Sequence, residues 1–148
     1  MKKPPTRIAL NHDDDHAEYV GHTADGRQFF LTTPFDPEWK GKPGNEFVAL
    51  YLFDKQGKLL EALIDEFGPR KTMDKQKRRD LRDRRLKELG KIEFGRIMIA
   101  PFEVERFGLK FGLILRTPEQ GDDDWTAEMH PGNYMAFFEP WDSGEYET

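Results

Sequence analysis

The sequence predicts an α+β fold: a mainly antiparallel sheet of about six to eight strands, with one long basic helix packed on one face. Three observations carry the prediction. Glu46–Phe67, EFVALYLFDKQGKLLEALIDEF, holds the longest apolar run and the plainest turn signal, and reads as a β-hairpin. Lys71–Leu89 alone combines freedom from internal Gly and Pro with a density of Arg, Lys, Leu, Asp and Glu, which is helix composition. The remaining apolar segments are short and separated by turn residues. Neighbours joined in this way pair antiparallel, whereas a doubly wound parallel sheet needs repeated crossover helices.

Within the hairpin, both the odd and the even positions of Phe47–Phe53 are apolar. An extended chain sends these two sets to opposite faces, so this strand is expected at the centre of the fold, covered on both sides. Asp54–Lys58 supplies the turn, with Gly57 able to take positive φ. The return strand starts at Leu59, where Leu60, Ala62 and Ile64 alternate with Glu61 and Asp65, and Leu63 breaks the alternation.

Before the hairpin, the residues up to about Asn11 carry two prolines and two lysines and are expected to form an unpaired arm. Ala17–Thr23 and Arg27–Thr33 flank Ala24-Asp25-Gly26, a tight hairpin turn, with Tyr19, Phe29 and Phe30 as core candidates. Pro34–Asn45, with three prolines, two glycines and Trp39, reads as an ordered crossing loop. In the helix, Thr72 is the expected N-cap and Gly90 the stop. Leu81, Leu86 and Leu89 fall within roughly 140° of helical arc and form a narrow seam, which Arg78, Arg82 and Arg85 share. Two more strands are expected, Lys91–Ile99 with a bulge at Gly95, and Leu109–Leu115 with close backbone approach near Phe107-Gly108 and Phe111-Gly112. Gln120–Asp124 is a polar loop. Trp125–Met129 and Tyr134–Phe138 form a last hairpin around His130-Pro131-Gly132-Asn133, where Pro-Gly suits a type II turn. Glu139–Thr148 is an acidic tail with Trp141 and Tyr146 as anchors.

The 148 residues fit one domain, with an N-terminal arm (about 1–11) and the acidic tail (about 139–148) at its ends. The apolar fraction, 36%, is low and the charged fraction, 34%, is high, while twelve Phe, four Tyr and three Trp point to a small aromatic core under a charged surface. The absence of cysteine excludes disulfides, thiolate metal sites and a cysteine nucleophile. Met1-Lys2-Lys3-Pro4-Pro5 is basic but no apolar segment follows, and no run approaches the ~18 residues that span a bilayer, so a cytoplasmic protein of bacterial type is expected. The net charge of −5 conceals an asymmetry: Arg70–Lys91 holds eleven Lys and Arg against three Asp and one Glu, which leaves a strongly acidic body around one basic segment.

No reactive motif stands out. His12-Asp13-Asp14-Asp15-His16 has the residue types of a metal site, but three adjacent Asp disfavour the helix that would bring the two His together, and no metal or cofactor is expected. His22 and His130 stand alone. Asp65/Glu66, Glu103/Glu105 and Asp122–Asp124 lack the spacing of an acid/base pair. Gly-x-Ser-x-Gly, Walker and dinucleotide fingerprints are missing, and the glycines of Phe107–Leu113 sit among aromatics, where packing explains them.

The basic helix is the sharp feature. Arg78, Arg82 and Arg85 are the candidate partner-binding residues, since spacings of four and three align three planar guanidinium forks on one face. Two outcomes stay open: they dock a protein partner with an acidic surface, or they pair with the acidic loops or tail of their own chain. Nucleic acid is disfavoured, because acids interrupt the helix, no aromatic lies within it, and the acidic body opposes approach. No membrane association and no particular oligomeric state is implied. The expected function is therefore a non-enzymatic interaction protein, regulatory or inhibitory. An enzyme or small-ligand binder with a site assembled from distant residues is the alternative.

The segments Thr23–Phe30, Phe47–Asp54, Val104–Gly108 and Pro131–Phe137 resemble a family of small uncharacterised bacterial proteins, some of which are labelled formate hydrogenlyase regulatory protein. The resemblance covers turn and core residues, so it implies a shared fold and carries over no catalytic residue. In composition the chain is also similar to the small acidic immunity proteins of bacterial toxin systems, a weaker analogy.

Overall fold

The computed structural model describes residues 2–15, 17–121, 123–132, 135–142 and 144–146. Its centre is β5 (Asn45–Phe53), the apolar strand of the hairpin, joined through Asp54–Lys58 to β6 (Leu59–Gly68). The turn is closed by the Asp54 carboxylate, which accepts from the backbone N–H of Gln56 at 3.0 Å and of Lys58 at 2.9 Å. On its other edge β5 pairs with β3 (Gln28–Thr32) and, further along, with β4 (Phe35–Asp36). β3 forms a hairpin with β2 (Tyr19–Thr23), whose outer edge takes β7 (Ile92–Phe94). All pairings in this six-stranded sheet are antiparallel.

The two faces of β5 are covered by different partners, as its double apolar pattern requires. Phe47, Ala49, Tyr51 and Phe53 face a second, five-stranded sheet in the order β13-β12-β11-β10-β9: β9 (Phe102–Arg106), β10 (Leu109–Arg116), β11 (Thr126–His130), β12 (Met135–Phe137) and β13 (Gly144–Tyr146). Aromatic edges interlock across this interface, Phe47 against Phe111 at 4.9 Å and Tyr51 against Phe102 at 4.8 Å between ring centroids. Such pairs contribute about 0.5–1.5 kcal/mol each beyond the area they bury. Val48, Leu50 and Leu52 face the helix α1 (Lys75–Glu88), where Leu81 is buried and Leu86 and Leu89 pack partly buried.

Among the described residues there are thirteen strands and one helix. The α+β class and the single helix agree with the sequence, but the strands divide among three sheets where one of six to eight was expected. The division follows from β5: a strand apolar on both faces needs two covers, and one narrow helix seam covers only one of them. The expected strand Lys91–Ile99 splits accordingly. Gly95 and Arg96 break it, so that Ile92–Phe94 finishes the first sheet while β8 (Ile97–Ile99) turns to pair with β1 (Ile8–Leu10) in a two-stranded ribbon. β9 was not foreseen.

The expectation of an unpaired arm up to about residue 11 does not hold. Ile8, Ala9 and Leu10 are fully buried in β1, and the prolines and lysines that suggested an arm precede this apolar triplet. Lys2 is tied as well, its ammonium 2.6 Å from Asp124 and its carbonyl accepting from the Trp125 indole N–H at 3.1 Å. The acidic tail also joins the fold, since Gly144–Tyr146 pairs with Met135–Phe137 and Trp141 packs on the main core. At the helix start the cap is Asp74 rather than Thr72, its carboxylate accepting from the N–H groups of Gln76 and Lys77; Gly90, at φ 77°, ends the helix as expected. The last hairpin forms, with a cis His130–Pro131 bond and Gly132 at φ 98° in its turn; Asn133, the last residue of the expected type II turn, is among those not described. Asn133, Tyr134, His16 and Asp122 lie outside the described residues, as does the side chain of Tyr146. No helix among the described residues is long and apolar enough to cross a membrane.

Candidate functional site: a cationic cleft at the start of the helix

The even-numbered residues of β5 that face the helix continue backwards to Glu46, the first charged residue of that series. Glu46 is 5% exposed, and a carboxylate so placed needs cations to offset its lost hydration. Two supply this. Arg70, in the connection from β6 to α1, brings Nε to 3.1 Å of Oε1, and Arg78, one turn before the buried Leu81, brings Nη1 to 3.6 Å. Neighbouring bonds fix the strand ends that position Glu46. Asn45 accepts from the Gly68 N–H at 2.9 Å and donates to Glu66 at 3.0 Å, across a register shift where Glu46 opposes Gly68 and Phe47 opposes Glu66. The exposed Arg70 guanidinium also lies 5.4 Å over the Phe35 ring of β4.

Around this knot the surface is concave. A hollow of about 450 Å³ lies between the 35–44 segment and Pro69–Thr72, and another of about 490 Å³ extends from it along the first turns of α1; Phe35, Glu46 and Arg70 line both. A smaller recess of about 100 Å³ continues the second past Thr33, Lys75 and Arg78 to Arg79 and Arg82. The two parts along the helix are lined by five cationic side chains against Asp15 and Glu46. Lys71, Lys75 and Arg79 have no ion-pair partner among the described residues. Burial lowers the Arg78 pKa from its ordinary value; Glu46 opposes that shift, and the cations at 70, 82 and 79 add to it.

The three arginines expected to bind a partner lie along the helix but do different things. Arg78 lines the cleft and leans on Glu46. Arg82 closes its far end, its guanidinium 5.2 Å over the Tyr19 ring and its Nε 3.6 Å from Asp83. Arg85 lies outside it and donates to Asp65 at 2.9 Å. Sequence reasoning passed over Glu46, Phe35, Arg70, Lys75 and Arg79. The legible signal was Glu46 itself, an acid in step with the buried positions of an otherwise apolar strand, which calls for a cation nearby.

The other candidates are not brought together. His12 stacks on Phe94 at 5.6 Å, and no group of three or more ligand side chains occurs among the described residues. His22 Nε2 lies 2.8 Å from the Arg96 carbonyl. His130 sits on β11, where burial lowers its pKa from 6.5. Glu103 faces Lys110 at 4.0 Å, and Asp65 belongs to Arg85. Gly112, at φ 146°, confirms the close approach expected near it: a Cβ there would stand 2.1 Å from the Phe102 carbonyl oxygen, whereas at Gly108 the space is open. Comparison with known protein families, curated proteins and solved structures gave no match for the chain.

Proposed function

We propose that this is a non-enzymatic, cytoplasmic interaction protein, regulatory or inhibitory in role, and that the cleft at the start of α1 receives an acidic stretch of a protein partner. The observation that carries this reading is the division of labour among the cations. Glu46 takes up Arg70 and Arg78, which holds the cleft in shape, while Lys71, Lys75 and Arg79 stand on it without a carboxylate of their own among the described residues. Cations gathered on an otherwise acidic molecule favour the approach of an acidic segment and orient it. None of the segments that carry the family resemblance lines the cationic part of the cleft, so the regulatory label adds nothing to this assignment.

The test is the variant Lys71→Glu/Lys75→Glu/Arg79→Glu with a fluorescent Asp/Glu-rich peptide, followed by anisotropy at two salt concentrations. Binding that weakens with salt in the parent and is lost in the variant, at an unchanged melting temperature, is the expected result. Equal binding to both proteins defeats the reading. A small anionic ligand is the second reading, favoured by the hollow of about 490 Å³ along α1, which Arg70, Lys75 and Arg78 line and whose size is usual for small-molecule sites. Saturable binding of such an anion, with none of the peptide, would decide for it.

A further inference from the structure

We propose that the cleft selects an apolar side chain lying next to acidic ones in an extended partner segment, with the apolar residue in the hollow beside the 35–44 segment and the acids along α1. This rests on the reading of the cleft as a docking site for an acidic segment, and it adds what the segment must carry besides charge.

The two hollows meet at Phe35, Glu46 and Arg70 but differ in chemistry. The first is walled by Phe35, Pro37, Pro43 and Pro69, a surface of one ring and three pyrrolidines with few rotamers to freeze. Its volume of about 450 Å³ accommodates an aromatic or large aliphatic side chain with its backbone. Phe35 is buttressed from behind, since Gly132 in the turn between β11 and β12 comes so close that a Cβ there would lie 3.0 Å from its ring. The second hollow carries Arg70, Lys75 and Arg78 with the Thr32 and Thr33 side chains. Arg70 partitions the two, bonded to Glu46 on one side and lying over Phe35.

Charge fixes the direction of the segment. Asp36 and Glu38 line the apolar hollow and repel acids there, so the acids of the segment point toward α1. Because the hollows share a wall, anchor and acids must lie within one to three residues of each other, at about 3.3 Å per residue of extended chain. The same acidic rim disfavours a polyphosphate chain or nucleic acid. The acidic tail of the molecule itself is already engaged, with Gly144–Tyr146 paired to β12 at the edge of the second sheet opposite β9. The occupant is therefore a segment of another protein.

Four fluorescent peptides on one Gly/Ser frame test this against the full chain by anisotropy: Phe-Asp-Glu, Ala-Asp-Glu, Phe-Asn-Gln, and Phe separated from Asp-Glu by a long Gly/Ser spacer. Phe-Asp-Glu is expected to bind about tenfold more tightly than each of the others. Phe35→Ala should remove its advantage over Ala-Asp-Glu, both peptides being measured on that variant. Pro43→Asp, on an exposed loop, should also remove that advantage, while its added charge weakens both acidic peptides alike. Equal binding of Phe-Asp-Glu and Ala-Asp-Glu overturns the apolar anchor and leaves the acidic docking site standing. Equal binding of Phe-Asp-Glu and Phe-Asn-Gln, or none of any peptide, overturns both. Full affinity for the spaced peptide overturns the adjacency. Slower tumbling of the unliganded chain at high concentration, abolished by Pro43→Asp, would put a second copy in the cleft and overturn the assignment to a foreign protein.

Discussion

β5 is one strand with two unlike faces, and the contrast between them separates what holds the molecule together from what is available for binding. Toward the second sheet it presents Phe47, Ala49, Tyr51 and Phe53, which meet a dry layer of aromatic and aliphatic side chains. Toward the helix it presents Val48, Leu50 and Leu52, but Leu81 is the one fully committed helix residue there, and the neighbouring positions on the helix are arginines. Where the sheet side is closed by interlocked rings, the helix side is closed by a leucine seam with charged margins. The cleft opens at such a margin, where the series of apolar residues on β5 gives way to Glu46.

The largest effect should come from the dry face. Phe111→Ala removes a fully buried ring stacked edge-on against Phe47 and is expected to cost about 3–5 kcal/mol by chemical denaturation. Leu81→Ala, its counterpart under the helix, should cost about 2–3 kcal/mol, because the site lies near the surface and can partly collapse. Equal losses would erase the contrast between the faces. Next comes Arg78→Glu/Arg82→Glu/Arg85→Glu. Each of these arginines has a partner within its own chain, so the triple reversal should lower stability by about 1–3 kcal/mol, with Arg85 opposite Asp65 the main contributor. An unchanged melting temperature would return all three to the role of partner-facing cations. Glu46→Ala sharpens the same point from the strand side. Loss of about 1–2 kcal/mol is expected as Arg78 is left part-buried without its carboxylate, and the variant should bind acidic peptide more tightly, since Arg70 and Arg78 are released.

The smallest effect concerns pH. Burial depresses the His130 pKa below 6.5 in the folded protein. Above that value the ring is neutral in both states and its contribution is complete. As pH falls below it, the unfolded chain takes up the proton first, so stability declines until the folded ring titrates too. Melting curves from pH 7 down to 5 should show a modest decline that His130→Gln reduces; an identical slope in the variant would remove His130 as its source.

The elements read most clearly in the sequence were those specified by their own residues. The apolar run Phe47–Phe53 announced a strand covered on both sides, and the run of helix formers after Pro69 announced α1. What escaped notice depended on partners far away in the chain. Ile8–Leu10 is too short to signal a strand until Ile97–Ile99 lies beside it, and β9 is recognisable chiefly by its pairing with β10. The candidate site was half legible. Arg78 and Arg82 followed from helical spacing, but Phe35, Glu46 and Arg70 come from three separate elements, and only their folding together makes them neighbours.

The β1–β8 ribbon bears on how the chain is made. Ile8–Leu10 leave the ribosome roughly ninety residues before their partners Ile97–Ile99, and a contact so distant in sequence forms slowly. Gln28 joins the same seam, its side chain bonding both the N–H and the carbonyl of Met98. During that interval an apolar triplet that ends fully buried is left without its strand, next to a growing hairpin that is itself apolar on both faces. The prolines and lysines just before it bring positive charge and a chain poorly suited to strand pairing, the kind of flank that opposes association of an exposed apolar segment.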